Sequence, residues 1–134
     1  MRATVFDSYA ILALLFDEPG ADQVEQLLHD AALAHQPVLI TAMNWAEVLY
    51  QMRRSHGTDG VTTAKRFAAT MPLDVVSADL ALAELAAEFK AAHKLSLADA
   101  FAAALAKQHK ADLVTGDPEF KSVESELKKI TWLT

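Results

Sequence analysis

Apolar residues recur along the chain in two alternating rhythms, and the alternation predicts an architecture. Short apolar runs stand at residues 3–7 (ATVFD), 37–41 (PVLIT), 72–76 (PLDVV), 111–115 (ADLVT) and 129–133 (KITWL). Each has the length of a strand and shows little polar alternation. Between the runs, apolar positions return every three or four residues, the helical repeat. Helices are expected over residues 8–16, 21–33, from about 44 to 54, 61–69, 79–93 and 96–109. In the second, Val24, Leu27 and Leu28 mark the inner face. Asp17, Glu18, Asp22, Glu25 and Asp30 read as a solvated outer face. "DEPG" breaks the first helix, and "SHGTDG" (residues 55–60) reads as a loop.

Strands that alternate with helices, and that are apolar on both sides, indicate a parallel sheet covered on both faces. The expectation is an α/β protein: a three-layer α/β/α sandwich around a central parallel sheet of about five strands. Residues 1–134 are enough for one such domain with a real core.

Composition narrows the function. The chain is 52% hydrophobic and 22% charged with only 4 Gly and 4 Pro, which is globular rather than disordered. It has no cysteine, so disulfides and thiolate metal sites are excluded and a reducing, cytoplasmic setting fits. The apolar runs are too short to span a bilayer, so no membrane partner is expected. Asp7 interrupts the apolar stretch after Arg2, so no signal peptide is expected either. A net charge of −6 argues against a protein that coats nucleic acid with cationic side chains. That argument weakens if several carboxylates are committed to metal ions.

Four carboxylates share an address in this scheme. Asp7 ends the first strand in "VFDSYA", and Asp117 follows the fourth in "LVTGDPEF". In a parallel sheet both stand at the carboxyl edge, where such sheets bind ligands. Glu47 lies about one turn into the helix after the second strand. Asp99 lies in the first turn of the helix that leads into the fourth. How the helix at 79–93 crosses to set Asp99 at that edge does not follow from the pattern.

Each acid also has a plainer role. Asn44-x-x-Glu47 and Ser96-x-x-Asp99 both fit a capping box, and Asp7 and Asp117 suit helix caps or turns. Two observations favour a shared site. Glu47 is the only acid in residues 42–53, and Asp99 is the only acid in "LSLADAFAAALA". A lone carboxylate on a mostly apolar helix becomes buried, which is costly without a partner, and no Lys or Arg stands beside either. A hard cation bound through oxygen, Mg²⁺ or Mn²⁺, would hold four such groups together. Carboxylate-held metals suit hydrolysis of a phosphodiester by an activated water.

Together "VFDSYAIL", "NWAEVLY", "LSLADAFAAALA" and "LVTGDPEF" resemble, in order and across essentially the whole chain, the four acidic motifs of PIN-domain ribonucleases. The size resembles the VapC-type toxins of toxin–antitoxin pairs. The resemblance implies that Asp7, Glu47, Asp99 and Asp117 bind Mg²⁺ or Mn²⁺ and support RNA cleavage. It also implies supporting hydroxyls at Ser8 and Thr115, a homodimer, and an antitoxin whose tail covers the site.

Arg53, Arg54, Lys65 and Arg66 flank "SHGTDG" and read as a phosphate-binding rim, with plain solvated surface as the competing reading. Tyr9 and Trp45 are read first as core aromatics and second as a stacking surface. The five histidines share no metal-ligand spacing. Two alternatives stand beside the ribonuclease: a catalytically silent PIN-like module that binds RNA or protein, and an Asp-dependent phosphatase. The second fits less well, because Asp7-Ser8-Tyr9 lacks the second acid of a D-x-D motif.

Overall fold

The structure, a computed structural model, describes residues 2–134. Its five strands are β1 (Thr4–Phe6), β2 (Val38–Thr41), β3 (Leu73–Val76), β4 (Asp112–Thr115) and β5 (Lys129–Trp132). All pairings are parallel, in the order β3-β2-β1-β4-β5. The helices are α1 (Ser8–Leu15), α2 (Ala21–Ala34), α3 (Ala42–Thr70), α4 (Leu80–Ala92) and α5 (Leu97–His109), followed by a 3₁₀ helix at Pro118–Glu126.

Because side chains alternate across a strand, neighbours in β1 and β4 feed different cores. Val5 and Leu113 join Leu82, Phe89, Leu105 and Phe120 on the face covered by α4, α5 and the 3₁₀ helix. Phe6 and Val114 join Ile11, Val24, Leu28 and Val48 under α1, α2 and α3. This is the expected three-layer sandwich. From β1 the chain moves one way to β2 and β3, then crosses to place β4 and β5 on the other side. The reversal leaves a crevice at the carboxyl ends of β1 and β4, the usual ligand position in such sheets.

Helix α5 is buried at every position from Asp99 to Ala106. Its alanines let neighbouring elements approach closely on all sides, so the helix has no solvated stripe. α4 and α5 pack closely and are joined by residues 93–96. Ser96 and Asp99 open onto the same cleft as Asp7, so α5 starts at the carboxyl edge. That answers the crossing left open by the pattern.

One segment differs from expectation. "SHGTDG" is not a loop but part of α3, which runs on through it with a kink. Gly57 carries the kink at φ 62 and ψ −149, a conformation essentially confined to glycine. Helical hydrogen bonding on either side absorbs the polar residues that suggested a loop.

Candidate functional site

Each acid is delivered by the end of an element, so the sheet and helix starts set the geometry. Asp7 follows β1 directly, is 1% exposed, and caps α1 by accepting the Ala10 N–H at 3.0 Å. Its other carboxylate oxygen accepts a hydrogen bond from the Thr115 hydroxyl. The Thr115 oxygen in turn accepts the Asp117 N–H at 3.0 Å. One hydroxyl therefore ties the ends of β1 and β4 together. Asp117 caps the 3₁₀ helix, accepting the Glu119 N–H at 2.9 Å.

Glu47 projects from the second turn of α3, and its carboxylate accepts a hydrogen bond from Ser8. Asp99 sits in the first turn of α5 and is 7% exposed. Ser96 caps that helix by accepting the Asp99 N–H at 3.1 Å. The capping expectation thus holds for Ser96. The cap of α3 is Thr41, which accepts the Asn44 N–H, rather than Asn44 itself.

Asp7, Ser8, Glu47, Ser96, Asp99 and Asp117, with Tyr9 and Leu12, line one cleft of about 330 Å³. All four sequence-predicted acids therefore meet, and Thr115 lies beneath them, fully buried. Burial pushes the Asp7 carboxyl up to about 7, against the hydrogen bonds from Thr115 and Ala10, and the charges of Asp99 and Asp117 add to the rise. Burial likewise pushes Asp99 up to about 7, aided by the charge of Asp117 and opposed by Ser96. Among the described residues, no salt bridge reaches any of the four acids.

Sequence reasoning missed Glu119. Carboxylate oxygens of Asp99, Asp117 and Glu119 lie within 4.8 Å of one another, close enough to share one ion. The signal was present in "DPEF": once Pro118 starts a helical turn on an Asp117 cap, Glu119 is turned back toward that cap. The donor set is all oxygen, which fits Mg²⁺ or Mn²⁺ and not a soft metal.

The basic residues stand apart. Arg53, Arg54, Lys65 and Arg66 are exposed on both sides of the α3 kink, and none lines the cleft. Arg54 donates to the Tyr50 hydroxyl at 2.8 Å and lies 5.4 Å from that ring's centre. Trp45 is partly buried against the α1–α3 core, as expected, whereas Tyr9 is 42% exposed at the cleft.

The PIN domain family profile matches residues 4–126. The chain belongs to the PIN domain family. The fold is that of solved VapC-type structures. A Rickettsia felis VapBC2 complex bound to a promoter DNA fragment superposes with a TM-score of 0.79 at 15% identity, covering 98% of this chain and 99% of that one. DNA-bound VapBC from Salmonella typhimurium gives 0.74 at 16% identity, covering 98% of each chain. VapC20 of Mycobacterium tuberculosis, described as a sarcin–ricin loop cleaving toxin, gives 0.69 at 17% identity, covering 90% of this chain and 95% of that one. A sequence search of curated proteins finds no match. Among the described residues, no helix is long and apolar enough to cross a membrane.

Proposed function

We propose that this PIN domain is a Mg²⁺- or Mn²⁺-dependent endoribonuclease and the toxin half of a toxin–antitoxin pair. The observation that carries the reading is the meeting of four acids, from four separate segments, in one cleft without a cationic partner. Keeping such a group ionised is costly unless cations are bound. Held by these carboxylates, a divalent ion would supply positive charge against the phosphodiester and lower the pKa of a nearby water.

The protein's own residues prepare the site. Thr115 and the Ala10 N–H fix the Asp7 carboxylate in place, and Ser8 does the same for Glu47. Asp99, Asp117 and Glu119 offer oxygens to one position. Arg53, Arg54, Lys65 and Arg66 would hold RNA phosphates further out, where they do not neutralise the acids. The toxin assignment rests on fold likeness to VapC partners in antitoxin complexes. On this reading a cognate antitoxin holds the enzyme silent, and the protein acts in the cytoplasm as a homodimer.

The test is incubation of purified protein with structured and unstructured RNAs in Mg²⁺, in Mn²⁺ and in EDTA. Cleavage is expected with either metal and not with EDTA, and expression of the parent but not of Asp99→Asn should arrest growth. Metal-independent cleavage, or none with any RNA, would overturn the reading.

A further inference from the structure

The carboxylates and the outlying cations account for phosphates, but not for what holds a base beside a negatively charged cleft. The cationic side chains lie outside the cleft wall. A lysine or arginine among the acids would pair with them and compete with a cation. An uncharged contact to the base avoids that conflict, and the cleft has one large uncharged aromatic, Tyr9.

Tyr9 lies two residues after Asp7, in the first turn of α1. Its ring backs onto Gly116, which stands between Thr115 and Asp117. A Cβ on Gly116 would lie 2.2 Å from the ring's Cε1, 2.4 Å from Cζ and 2.8 Å from Oη. Any other residue at position 116 would drive the ring away. Gly116 has no positive φ, so its part here is the room it leaves for the ring and not a turn. One side of the ring is thus seated on backbone while 42% of the residue remains open to solvent. A ring held this way loses little rotamer freedom when something stacks on it.

We propose that Tyr9 is a stacking platform for the nucleobase adjacent to the scissile phosphate, so that the site takes an unpaired nucleotide. This rests on the ribonuclease reading for what lies next to the base. Stacking on an aromatic face is the common way to hold single-stranded RNA and tolerates many sequences. Tyr9 follows Asp7 by two residues and its ring packs on Gly116, next to Asp117, so a base stacked there would lie beside the acids. The phenolic hydroxyl has no role in this scheme.

The test uses the Asp99→Asn protein in Mg²⁺, so that RNA stays intact, with single-stranded RNA decamers carrying one 2-aminopurine at successive positions. Quenching of the probe is expected at one position. Tyr9→Phe should bind and quench as the parent does. Tyr9→Leu, which keeps an apolar cover on Gly116, should weaken binding about tenfold and lose the quench at an unchanged Tm. In the otherwise intact protein, Tyr9→Leu should raise KM while kcat holds within about twofold. If the parent cleaves RNA and Tyr9→Leu keeps both affinity and quench, the platform falls and the ribonuclease reading stands. If no RNA is cleaved in Mg²⁺ or Mn²⁺ yet the quench depends on Tyr9, the ribonuclease reading falls and the base platform stands. Failure of every variant to bind single-stranded RNA would overturn the platform outright.

Discussion

Strand β4 begins with one aspartate and is followed by another, and the two have opposite surroundings. Asp112, at the amino end, faces Arg2. The Arg2 Nε lies 2.8 Å from Oδ1, out of line for a hydrogen bond, and Nη2 lies 3.5 Å from Oδ2. Asp117, past the carboxyl end, faces Asp7, Asp99 and Glu119. Glu126, on the α4–α5 face, is likewise partnered, by His93 and by Lys107 at 4.0 Å. Asp112 and Glu126 thus have basic side chains beside them, whereas none stands at the switch point. Acids gathered without a cation, two of them buried, suit a positive charge taken from solution, as the proposed reading requires.

Exchanging the two ends in function is the strongest way to break that contrast. Asp7→Asn and Asp99→Asn should each reduce RNA cleavage on the order of 100-fold or more, with the fold retained by circular dichroism. Asp112→Asn should leave cleavage within about twofold. Comparable losses at both ends would mean that the cleft acids are structural like their counterpart. Mg²⁺ or Mn²⁺ should also raise the Tm of the parent by several degrees, because a ligand that binds only the folded state stabilises it. EDTA should reverse the gain, and Asp99→Asn should reduce it.

A smaller effect follows from proton linkage. An aspartate in the unfolded chain titrates near about 3.9. In the folded, metal-free protein Asp7 and Asp99 hold their protons up to about 7. Between those values the folded state binds more protons, so metal-free stability should fall as pH rises from about 4 to about 7 and level off above. Tm measured in EDTA across that range reads this directly. Asp7→Asn should flatten the slope and exceed the parent in Tm at pH 7.5, because a buried charge and its repulsion of Asp99 and Asp117 are gone. A metal-free Tm that climbs steadily through this window would contradict the burial argument.

The strands and the four acids were legible because both depend on short-range pattern and on one topological rule. Asp7 and Asp117 follow apolar runs, and parallel strands force their carboxyl ends together. Asp99 was legible as the lone acid in a helix that alanines allow to be buried on all sides. What escaped the sequence needed through-space information. Gly57 looked like loop punctuation because its polar neighbours match both a loop and a kinked helix. Glu119 was invisible until the 3₁₀ turn brought it round toward Asp117. Tyr9 was read first as core, since nothing in the sequence reveals that Gly116 leaves room for its ring at the surface.

Two local stabilising contacts give the smallest effects and sharpen the contrast from the structural side. Ser96→Ala removes the cap of α5 and should cost ~1 kcal/mol in denaturant unfolding. Asp99 would keep its place through the buried helix, so most cleavage should remain. If Ser96→Ala and Asp99→Asn matched in both stability and activity, Asp99 would be no more than a partner of the cap. The Arg2–Asp112 pair should matter less still. Arg2 is 47% exposed at its side chain, so the pair is well screened, and Arg2→Ala should cost at most about 1 kcal/mol. Screening also predicts that parent and variant converge in stability in 1 M NaCl, where the Debye length is about 3 Å. Added monovalent salt should not replace Mg²⁺ or Mn²⁺ in the cleft, because a singly charged ion attracts the clustered carboxylates far less strongly than a divalent one. Denaturant midpoints for parent, Arg2→Ala and Asp99→Asn at low and high salt place the two ends of β4 side by side. An Arg2→Ala deficit that persists undiminished in 1 M NaCl would make the amino-end pair a buried one, and the contrast between the two aspartates would lose its electrostatic basis.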